Sequence, residues 1–477
     1  MVTGQTIVAL LPELISTAFV IVVLLVGAFA EKNVGVAAGL AALGTLAVFI
    51  SAAVLLLTGF SGSFFGGGYV VDGFALYFKL IVAGTAFFAV LAAARWSGQA
   101  GDAPEYLTLI LSVVLGSTLL VSMRDLFGIF LAIELATIPS YAMVAFDRSR
   151  RESAEGGMKY LITGVIASSV LLYGLVLIYG VSGSAMLSDV ADTFTGNLTP
   201  VAVLGLVLMI SGFAFKLSAA PFHFWTPDAY QGAPTSAAAF LSVGPKAATF
   251  AVLLRILFEG MPGAAATWTV VMAFLAIITM FVGNLAALRQ RNVRRMLAYS
   301  SVAHSGYILA AFAALQGAGV AFAVQAVLVY TAAYAVMNMG AFLVIDLVGE
   351  DVKNYNGLVR TNPAVAVSMA LFMAALVGIP PLSGFFGKLW IIIAGAQSGS
   401  ILVYVVVGAL VVNTVLSVPY YFGIIRNMIL EEPTTETVRS KGSGAVRFSV
   451  YVLAALTTLF GLLIIPLAAL VRASGLV

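Results

Sequence analysis

The chain has 477 residues, of which 62% are hydrophobic and 9% are charged, whereas an ordinary soluble domain carries roughly 25% charged residues. Its mean hydropathy of +1.10 excludes a soluble fold and predicts an all-α polytopic membrane protein. The absence of cysteine excludes disulfides, thiolate metal sites and iron–sulfur clusters in this chain. The chain has only two histidines, which argues against a histidine-based metal centre. Its net charge is +3 and its basic residues are scattered over short loops, which argues against nucleic-acid binding.

Apolar segments of about 20 residues, the length that crosses a bilayer, follow one another along the chain. Fourteen spans are predicted, at 7–30, 34–58, 73–94, 105–123, 125–146, 157–181, 200–219, 231–258, 266–286, 295–316, 319–348, 361–395, 399–425 and 447–471. The first segment lacks a basic leading region and a small-residue cleavage site, so we expect it to be retained. The loops between the spans, of which 59–72, 182–199 and 426–446 are the longest, are too short for a separate domain.

Lysine and arginine are unevenly distributed over the two sides of these spans, with 15 on one side and 3 on the other. The larger group comprises Lys32, Arg95, Arg148, Arg150, Arg151, Arg289, Arg291, Arg294, Arg295, Lys353, Arg360, Arg426, Arg439, Lys441 and Arg447. The smaller group comprises Arg124, Arg255 and Arg472. Because cytoplasmic loops carry the excess of basic residues, the pattern predicts that both termini lie on the outer side.

The remaining five lysines lie inside the apolar segments. Lys79 and Lys159 are near span ends, where a long side chain is expected to reach the membrane interface. Glu13, in LLPELI, is close to the predicted outer surface, so it need not be buried.

Three lysines and one glutamate lie deeper, where a charged side chain costs about 2.5–3.5 kcal/mol on insertion scales. Lys246 is fifteen residues into its span, about 22 Å along a helix axis, and Glu134 is nine residues after Asp125, about 13 Å. With Lys216 and Lys388 they predict an ion pathway in which lysine and glutamate exchange protons. The alternative is a static buried ion pair that fixes helix packing, and the sequence does not show whether Glu134 and Lys216 touch.

Two of the deep lysines lie beside predicted helix breaks, since proline removes a backbone donor and interrupts a helix. Pro221, Pro227 and Pro234 follow Lys216, and GIPPLSGFFGKLW places Pro380 and Pro381 before Lys388. The breaks fall in spans seven and twelve, which predicts two inverted five-helix repeats, spans 4–8 and 9–13. The predicted units are an N-terminal three-helix segment at 1–104, the repeats at 105–258 and 266–425, and a C-terminal loop and span at 426–477.

His304 lies nine residues into the tenth span and is a candidate proton relay or a buried hydrogen-bonding residue. Polar residues of the tenth and eleventh spans could order water molecules or join helices to one another. They are Ser300, Ser301, Ser305, Tyr307, Tyr330, Tyr334 and Asn338. His223, at the break after Lys216, is interpreted as a structural residue or a proton-uptake group.

Six motifs carry a resemblance to a known family. They are LLPELI at 10–15, the segment around Glu134 that ends in PSYAMVAF, KYLITGVIASSVLLYGLVLIYG at 159–180, FKLSAAPFHFWTPDAYQGAPT at 215–235, RRMLAYSSVAHSGYIL at 294–309 and GIPPLSGFFGKLW at 378–390. Together they resemble the subunit N family of proton-pumping NADH–quinone oxidoreductase, or respiratory complex I, over nearly the whole chain. The PFHFWTPD form is typical of this antiporter-like subunit. One departure from the family pattern is Arg294-Arg295, where Lys-Arg is expected.

The resemblance implies a role for each deep charge. The family's intramembrane glutamate corresponds to Glu134, its broken-helix lysine to Lys216, its central lysine to Lys246 and its exit-side lysine to Lys388. The sister subunit M carries a glutamate at the position of Lys388, and subunit L continues into a long lateral helix after its core. The resemblance therefore favours subunit N over subunits M and L.

The resemblance also implies partners and a location. No cofactor is expected in this chain, whereas NADH, FMN, iron–sulfur clusters and quinone are expected in partner subunits. Subunit M and small subunits such as K are the expected neighbours, in a bacterial or archaeal cell membrane. Two alternatives remain: a subunit of a multisubunit cation/proton antiporter, and the related membrane subunit of a hydrogenase or a coenzyme F420-dependent dehydrogenase.

Overall fold

The computed structural model describes residues 4–29, 34–93, 102–195, 198–433 and 443–463. Within these ranges the chain is almost entirely helical. Five of the basic residues used for the topology prediction lie outside the described residues, namely Lys32, Arg95, Arg439, Lys441 and Arg472. The end of the fourteenth predicted span also lies outside them.

The N-terminal part consists of four helices and a small hairpin. Its elements are α1 (Gly4–Ala9), α2 (Leu11–Phe29), α3 (Val34–Leu57), β1 (Gly62–Phe64), β2 (Tyr69–Val71) and α4 (Gly73–Ala93). The strands are antiparallel, with Gly62 opposite Val71. The loop predicted at 59–72 is therefore an ordered hairpin, and β2 is further held by a hydrogen bond from Val70 N to Ser122 O.

The middle of the chain contains the first two candidate lysines. Its helices are α5 (Ala103–Leu120), α6 (Leu126–Val144), α7 (Arg151–Ser182), α8 (Leu187–Thr193), α9 (Pro200–Lys216), α10 (Trp225–Gly232), α11 (Thr235–Leu241) and α12 (Gly244–Arg255). Side chains cap the two helices that bring Glu134 and Lys216 together: Asp125 accepts from Gly128 N, and Thr199 accepts from Ala202 N.

The last part of the chain contains His304 and Lys388. Its helices are α13 (Ala265–Ala287), α14 (Val293–Ala313), α15 (Val320–Val348), α16 (Leu358–Thr361), α17 (Pro363–Val377), α18 (Ser383–Gln397), α19 (Ile401–Leu430) and α20 (Gly444–Leu462). α13 packs along α14, and α15 lies centrally, in contact with α4, α11, α14, α17, α18 and α20.

Eleven helical segments within the described residues are long and apolar enough to cross a membrane, and two shorter apolar helices, α9 and α17, accompany them. This confirms an all-α polytopic membrane protein. The tenth predicted span, 295–316, corresponds to α14, whose first turn carries two arginines. The two most buried of these segments are Thr235–Gly260 and Gly317–Val348, and Lys246 lies in the first of them.

The predicted breaks beside Lys216 and Lys388 are present. α9 ends at Lys216 and α10 begins at Trp225, while α17 ends at Val377 and α18 begins at Ser383. Gly378 closes α17 in the left-handed region, with φ of 93°, a conformation that glycine adopts without a steric penalty.

The eighth predicted span, 231–258, is wrong as a single helix. It is interrupted at Ser242 and Val243, between α11 and α12. Pro245 has no N–H to continue the helical hydrogen bonds, and Val243 has φ of −129° and ψ of −56°, outside helical geometry. Lys246 therefore lies in the first turn of a half-helix, as the third residue of α12.

Candidate functional site

Glu134 and Lys216 form an ion pair between α6 and α9. The distance from Lys216 Nζ to Glu134 Oε1 is 3.3 Å, with 5% and 20% of the two side chains exposed. Ser168 of α7 donates to the same carboxylate oxygen at 2.6 Å. Lys216 Nζ also donates to Ser168 Oγ at 3.0 Å and Thr137 Oγ1 at 3.2 Å. Glu134 and Lys216, whose contact the sequence left open, thus touch, and side-chain hydroxyls form hydrogen bonds with both charged groups.

A small cavity lies beside Lys216 and extends to the helix of Lys246. Its volume is about 30 Å³, and Thr137, Ser140, Tyr160 and Thr249 line it together with Lys216. Thr249 belongs to α12. A polar cavity of this size has room for a water molecule, so the space between α9 and α12 is one in which a bound water can be held by several hydroxyls.

Lys246 has an environment of hydroxyls and aromatic rings. Only 3% of the residue is exposed, and Nζ donates to Ser301 Oγ at 2.7 Å, with Ser305 Oγ at 3.5 Å. Nζ lies 5.9 Å from the centre of the Tyr230 ring. Among the described residues, no carboxylate forms a salt bridge with Lys246.

Lys388 points back across its own helix break. Its Nζ donates to the backbone oxygens of Leu376 at 3.3 Å and Val377 at 2.8 Å, at the end of α17. Nζ also lies 4.5 Å from the centre of the Tyr307 ring. Because the last carbonyls of a helix have no partner within the helix, the break supplies the acceptors for this buried lysine.

His304 lies on α14 between the partners of these two lysines. Its Nδ1 is 2.9 Å from Tyr330 Oη and its Nε2 is 3.1 Å from Tyr421 Oη, while Tyr334 stacks against the ring. Ser301 and Ser305, which contact Lys246, and Tyr307, which contacts Lys388, lie on the same helix. The structure therefore gathers the second half of the predicted site around α14.

Other polar residues of the predicted set have defined partners. Asn338 Nδ2 donates to Ser242 Oγ at 2.8 Å, at the break between α11 and α12. Ser300 Oγ forms a short hydrogen bond with Tyr421 Oη. His223 is buried between α9 and α10.

Several residues of this network were not found from the sequence. Tyr421 of α19 contacts His304, and Asn284 of α13 donates to Tyr307 Oη at 3.1 Å and Asn413 Oδ1 at 3.0 Å. Tyr420 donates to Asn284 Oδ1 at 2.9 Å. These residues are few and lie in otherwise apolar spans, so the sequence carried only a weak signal of their contacts.

The expectation for Lys79 is wrong, and Glu13 is buried although its position in the sequence did not require it. Lys79 is fully buried and does not reach the interface, and its Nζ lies 2.7 Å from Glu13 Oε1. Glu13 is only 4% exposed, because its helix, α2, packs along α3 and α5. Lys159 is half-exposed and pairs with Glu155 and Asp228, each at 2.7 Å, so its expected position at the membrane interface stays a prediction.

Comparisons with known proteins identify the family of this chain. Residues 123–417 match the family model described as NADH:quinone oxidoreductase/Mrp antiporter, TM. NADH-quinone oxidoreductase subunit N of Rubrobacter xylanophilus is 72% identical over 477 residues, which is 100% of this chain and 99% of the relative.

Solved structures show the same fold. A chain of respiratory complex I from Thermus thermophilus with bound aureothin is 31% identical, with a TM-score of 0.83, over 97% of this chain and 100% of the other. A chain of the Mrp complex from Dietzia sp. DQ12-45-1b is 21% identical, with a TM-score of 0.86, over 98% and 97%, and it shares the fold. Full-length identity of 72% confirms the family that the motifs indicated. The chain belongs to the subunit N family, the antiporter-like membrane subunits of proton-translocating NADH–quinone oxidoreductase.

Proposed function

We propose that this membrane subunit of NADH–quinone oxidoreductase moves protons along Glu134, Lys216, Lys246 and Lys388, with His304 as a relay between the last two. The chain is an integral multi-pass subunit of a translocase whose cofactors reside in other subunits. The observation that carries the proposal is the contact of Glu134 with Lys216, the first of the three lysines in this pathway.

The first step depends on the charge of Glu134. A carboxylate stabilises the charged form of a neighbouring lysine, while burial disfavours it. When the interaction weakens, Lys216 releases a proton toward the cavity lined by Thr137 and Thr249. A water held there relays the proton toward α12.

The later steps use hydroxyls and an imidazole. Lys246 contacts Ser301 and Ser305 on α14, and His304 lies on the same helix. His304 is bonded at both ring nitrogens by tyrosines, so it can take a proton at one nitrogen and release one at the other. Lys388, over Tyr307 of the same helix, receives it.

The energy for these steps comes from outside the chain. Moving one charge against the membrane potential costs about 2.3 kcal/mol per 100 mV. Quinone reduction in partner subunits supplies this energy, and NADH, FMN and iron–sulfur clusters are held there. Subunit M and small subunits such as K are the proposed neighbours in a bacterial cell membrane.

The proposed architecture has fourteen spans with both termini on the outer side. Spans 4–8 (105–258) and 9–13 (266–425) form two inverted repeats between the units 1–104 and 426–477. The helix breaks after Lys216 and before Lys388, at corresponding places in the two repeats, support this division.

The test is Glu134→Gln in the complete complex, purified and placed in sealed vesicles. We expect the complex to assemble and both proton uptake and quinone-linked NADH oxidation to fall together by about tenfold or more, a change of about 1.4 kcal/mol per factor of ten in rate. Glu155→Gln, at a surface glutamate that also pairs with a lysine, is the matched control and should pump normally. Normal pumping by Glu134→Gln would reject the proposal.

A further inference from the structure

A second buried ion pair lies outside the four-residue pathway, in the N-terminal part of the chain. It joins Glu13 of α2 to Lys79 of α4, with 2.7 Å between Nζ and Oε1 and side-chain exposures of 5% and 0%. Lys79 Nζ also donates to Tyr69 Oη at 3.0 Å. The three residues come from α2, β2 and α4, so the hairpin closes over the pair.

The pair is incompletely satisfied. Lys79 contacts Oε1, but Oε2 of Glu13 is buried and receives no hydrogen bond from any of the described residues. Placing apolar residues at a buried ion pair is often neutral or stabilising, because both charges lose their hydration. Packing alone therefore gives little reason for a charged pair with an unsatisfied oxygen at this place.

The Glu13–Lys79 pair is also linked, through α4 and a second ion pair, to α12, the helix on which Lys246 lies. α4 begins directly after Asp72, whose carboxylate receives Arg255 Nη2 at 3.0 and 2.9 Å. Arg255 is fully buried and is the last residue of α12, the helix on which Lys246 lies. Seven residues along α4 separate Asp72 from Lys79, about 10 Å of helix.

We propose that Glu13 and Lys79 form a further proton-exchange site, in which a proton passes between Lys79 Nζ and Glu13 Oε1 during turnover. The N–H bond of the ammonium breaks and an O–H bond forms on the carboxylate. An ion pair becomes an amine and a carboxylic acid, and the total charge of the pair is unchanged. Tyr69 Oη, 3.0 Å from Nζ, stays hydrogen-bonded to the nitrogen in either state.

The physical consequence is a change in the local field without net charge movement. The dipole of the pair is large when both groups are charged and small when both are neutral, and burial in a low dielectric leaves it poorly screened. The ion pair of Arg255 and Asp72 ties the start of α4 to the end of α12. The site is thus placed to bias the central lysine, a role that rests on the proposed function.

The first test is infrared difference spectroscopy of the complete complex, triggered by NADH. We expect a C=O stretch of a protonated carboxylic acid that appears during turnover and is missing in Glu13→Gln. Glu432→Gln, at an exposed glutamate that pairs with Arg360, is the control and should retain the band. Identical spectra from the unmodified complex and Glu13→Gln would overturn the proposal.

The second test separates exchange from structure by replacing both partners with leucine. The double variant Glu13→Leu/Lys79→Leu should assemble with an unchanged or higher thermal midpoint, while proton uptake falls by about tenfold. Lys79→Arg keeps the charge but holds its proton, and should show the same loss. Unmodified pumping by either variant, or failure of both to assemble, would overturn the proposal by making the pair structural.

The outcome is independent of the main pathway. If the four-residue pathway is wrong, Glu134→Gln pumps normally whatever happens at Glu13. If only the present inference is wrong, Glu134→Gln still blocks pumping while the double leucine variant is active.

Discussion

Lys216 and Lys246 are both buried, yet their surroundings differ in a systematic way. Lys216 is the last residue of α9 and contacts the carboxylate of Glu134. Lys246 is in the first turn of α12 and contacts hydroxyls. The helix dipole favours a positive charge at the C-terminus of a helix and disfavours it at the N-terminus, by about 0.3–1 kcal/mol in exposed cases and up to ~2 in partly buried ones.

Within the proposed pathway, this difference gives the two lysines different tasks. At Lys216 the carboxylate and the helix end both favour a charged side chain, whereas at Lys246 neither is present. We therefore propose that Lys216 holds a proton and that Lys246 passes it on, and that the helix breaks after Lys216 and at Ser242–Val243 set the direction of transfer.

The largest expected effect is that of Lys246→Met, which keeps most of the length of the side chain and removes the charge. Because Lys246 makes no ion pair within the described residues, the complex should assemble, while quinone-linked turnover falls by about a hundredfold, a loss of about 2.7 kcal/mol. Turnover of purified complex in vesicles measures this, with the exposed Lys353→Met as the control. Loss of assembly, with normal activity of whatever assembles, would show that Lys246 is structural.

An intermediate effect is expected from Tyr421→Phe, which removes the hydroxyl that contacts His304 Nε2 and Ser300. If His304 passes protons between Lys246 and Lys388, turnover should fall by about tenfold, as in His304→Asn. Tyr404→Phe, at an exposed tyrosine of the same helix, should have no effect. If Tyr421 only joins helices, the variant would lower thermal stability and leave turnover unchanged.

The smallest effect is expected at Asp228, which anchors α10 after the Lys216 break. Burial alone would raise the pKa of its carboxyl, but hydrogen bonds from Lys159 and Arg295 outweigh this and lower the pKa below its ordinary value. The charged form therefore stabilises the fold at neutral pH, and this contribution is lost as pH falls through the lowered pKa.

Asp228→Asn should accordingly lower the free energy of unfolding by only about 0.5 kcal/mol, because the cluster is partly exposed and screened. A thermal shift series over pH measures this, and the difference from the unmodified complex should shrink toward acid. Asp147→Asn, at a surface aspartate, is the control. A difference that grows toward acid would contradict the sign, and a large loss of pumping would mean that α10 controls Lys216.

Much of the candidate site could be predicted from the sequence, because depth in a span is readable from position. Glu134 and Lys246 were identified by their depth in a span, and Lys216 and Lys388 by the prolines beside them; the two helix breaks beside Lys216 and Lys388 were confirmed. The break before Lys246 was missed because Pro245 lies in an otherwise apolar segment, where one proline is also compatible with a mild bend.

The sequence analysis failed mainly for contacts between residues that are distant in the chain. Glu13 and Lys79 are 66 residues apart, and a position near a span end is equally compatible with an interfacial side chain and with a buried pair. Tyr421 was missed for the same reason, since it meets His304 from a helix more than 100 residues away. Such contacts depend on helix packing, which span composition does not encode.

The most direct measurement is the number of protons taken up per electron pair in sealed vesicles that hold the Lys216→Arg complex. Guanidinium keeps its proton throughout the accessible pH range, while it retains the positive charge opposite Glu134. We expect the variant to assemble and to lose proton uptake and electron transfer together. Pumping at the unmodified rate would mean that Lys216 only pairs with Glu134, and would contradict proton transfer along the lysines.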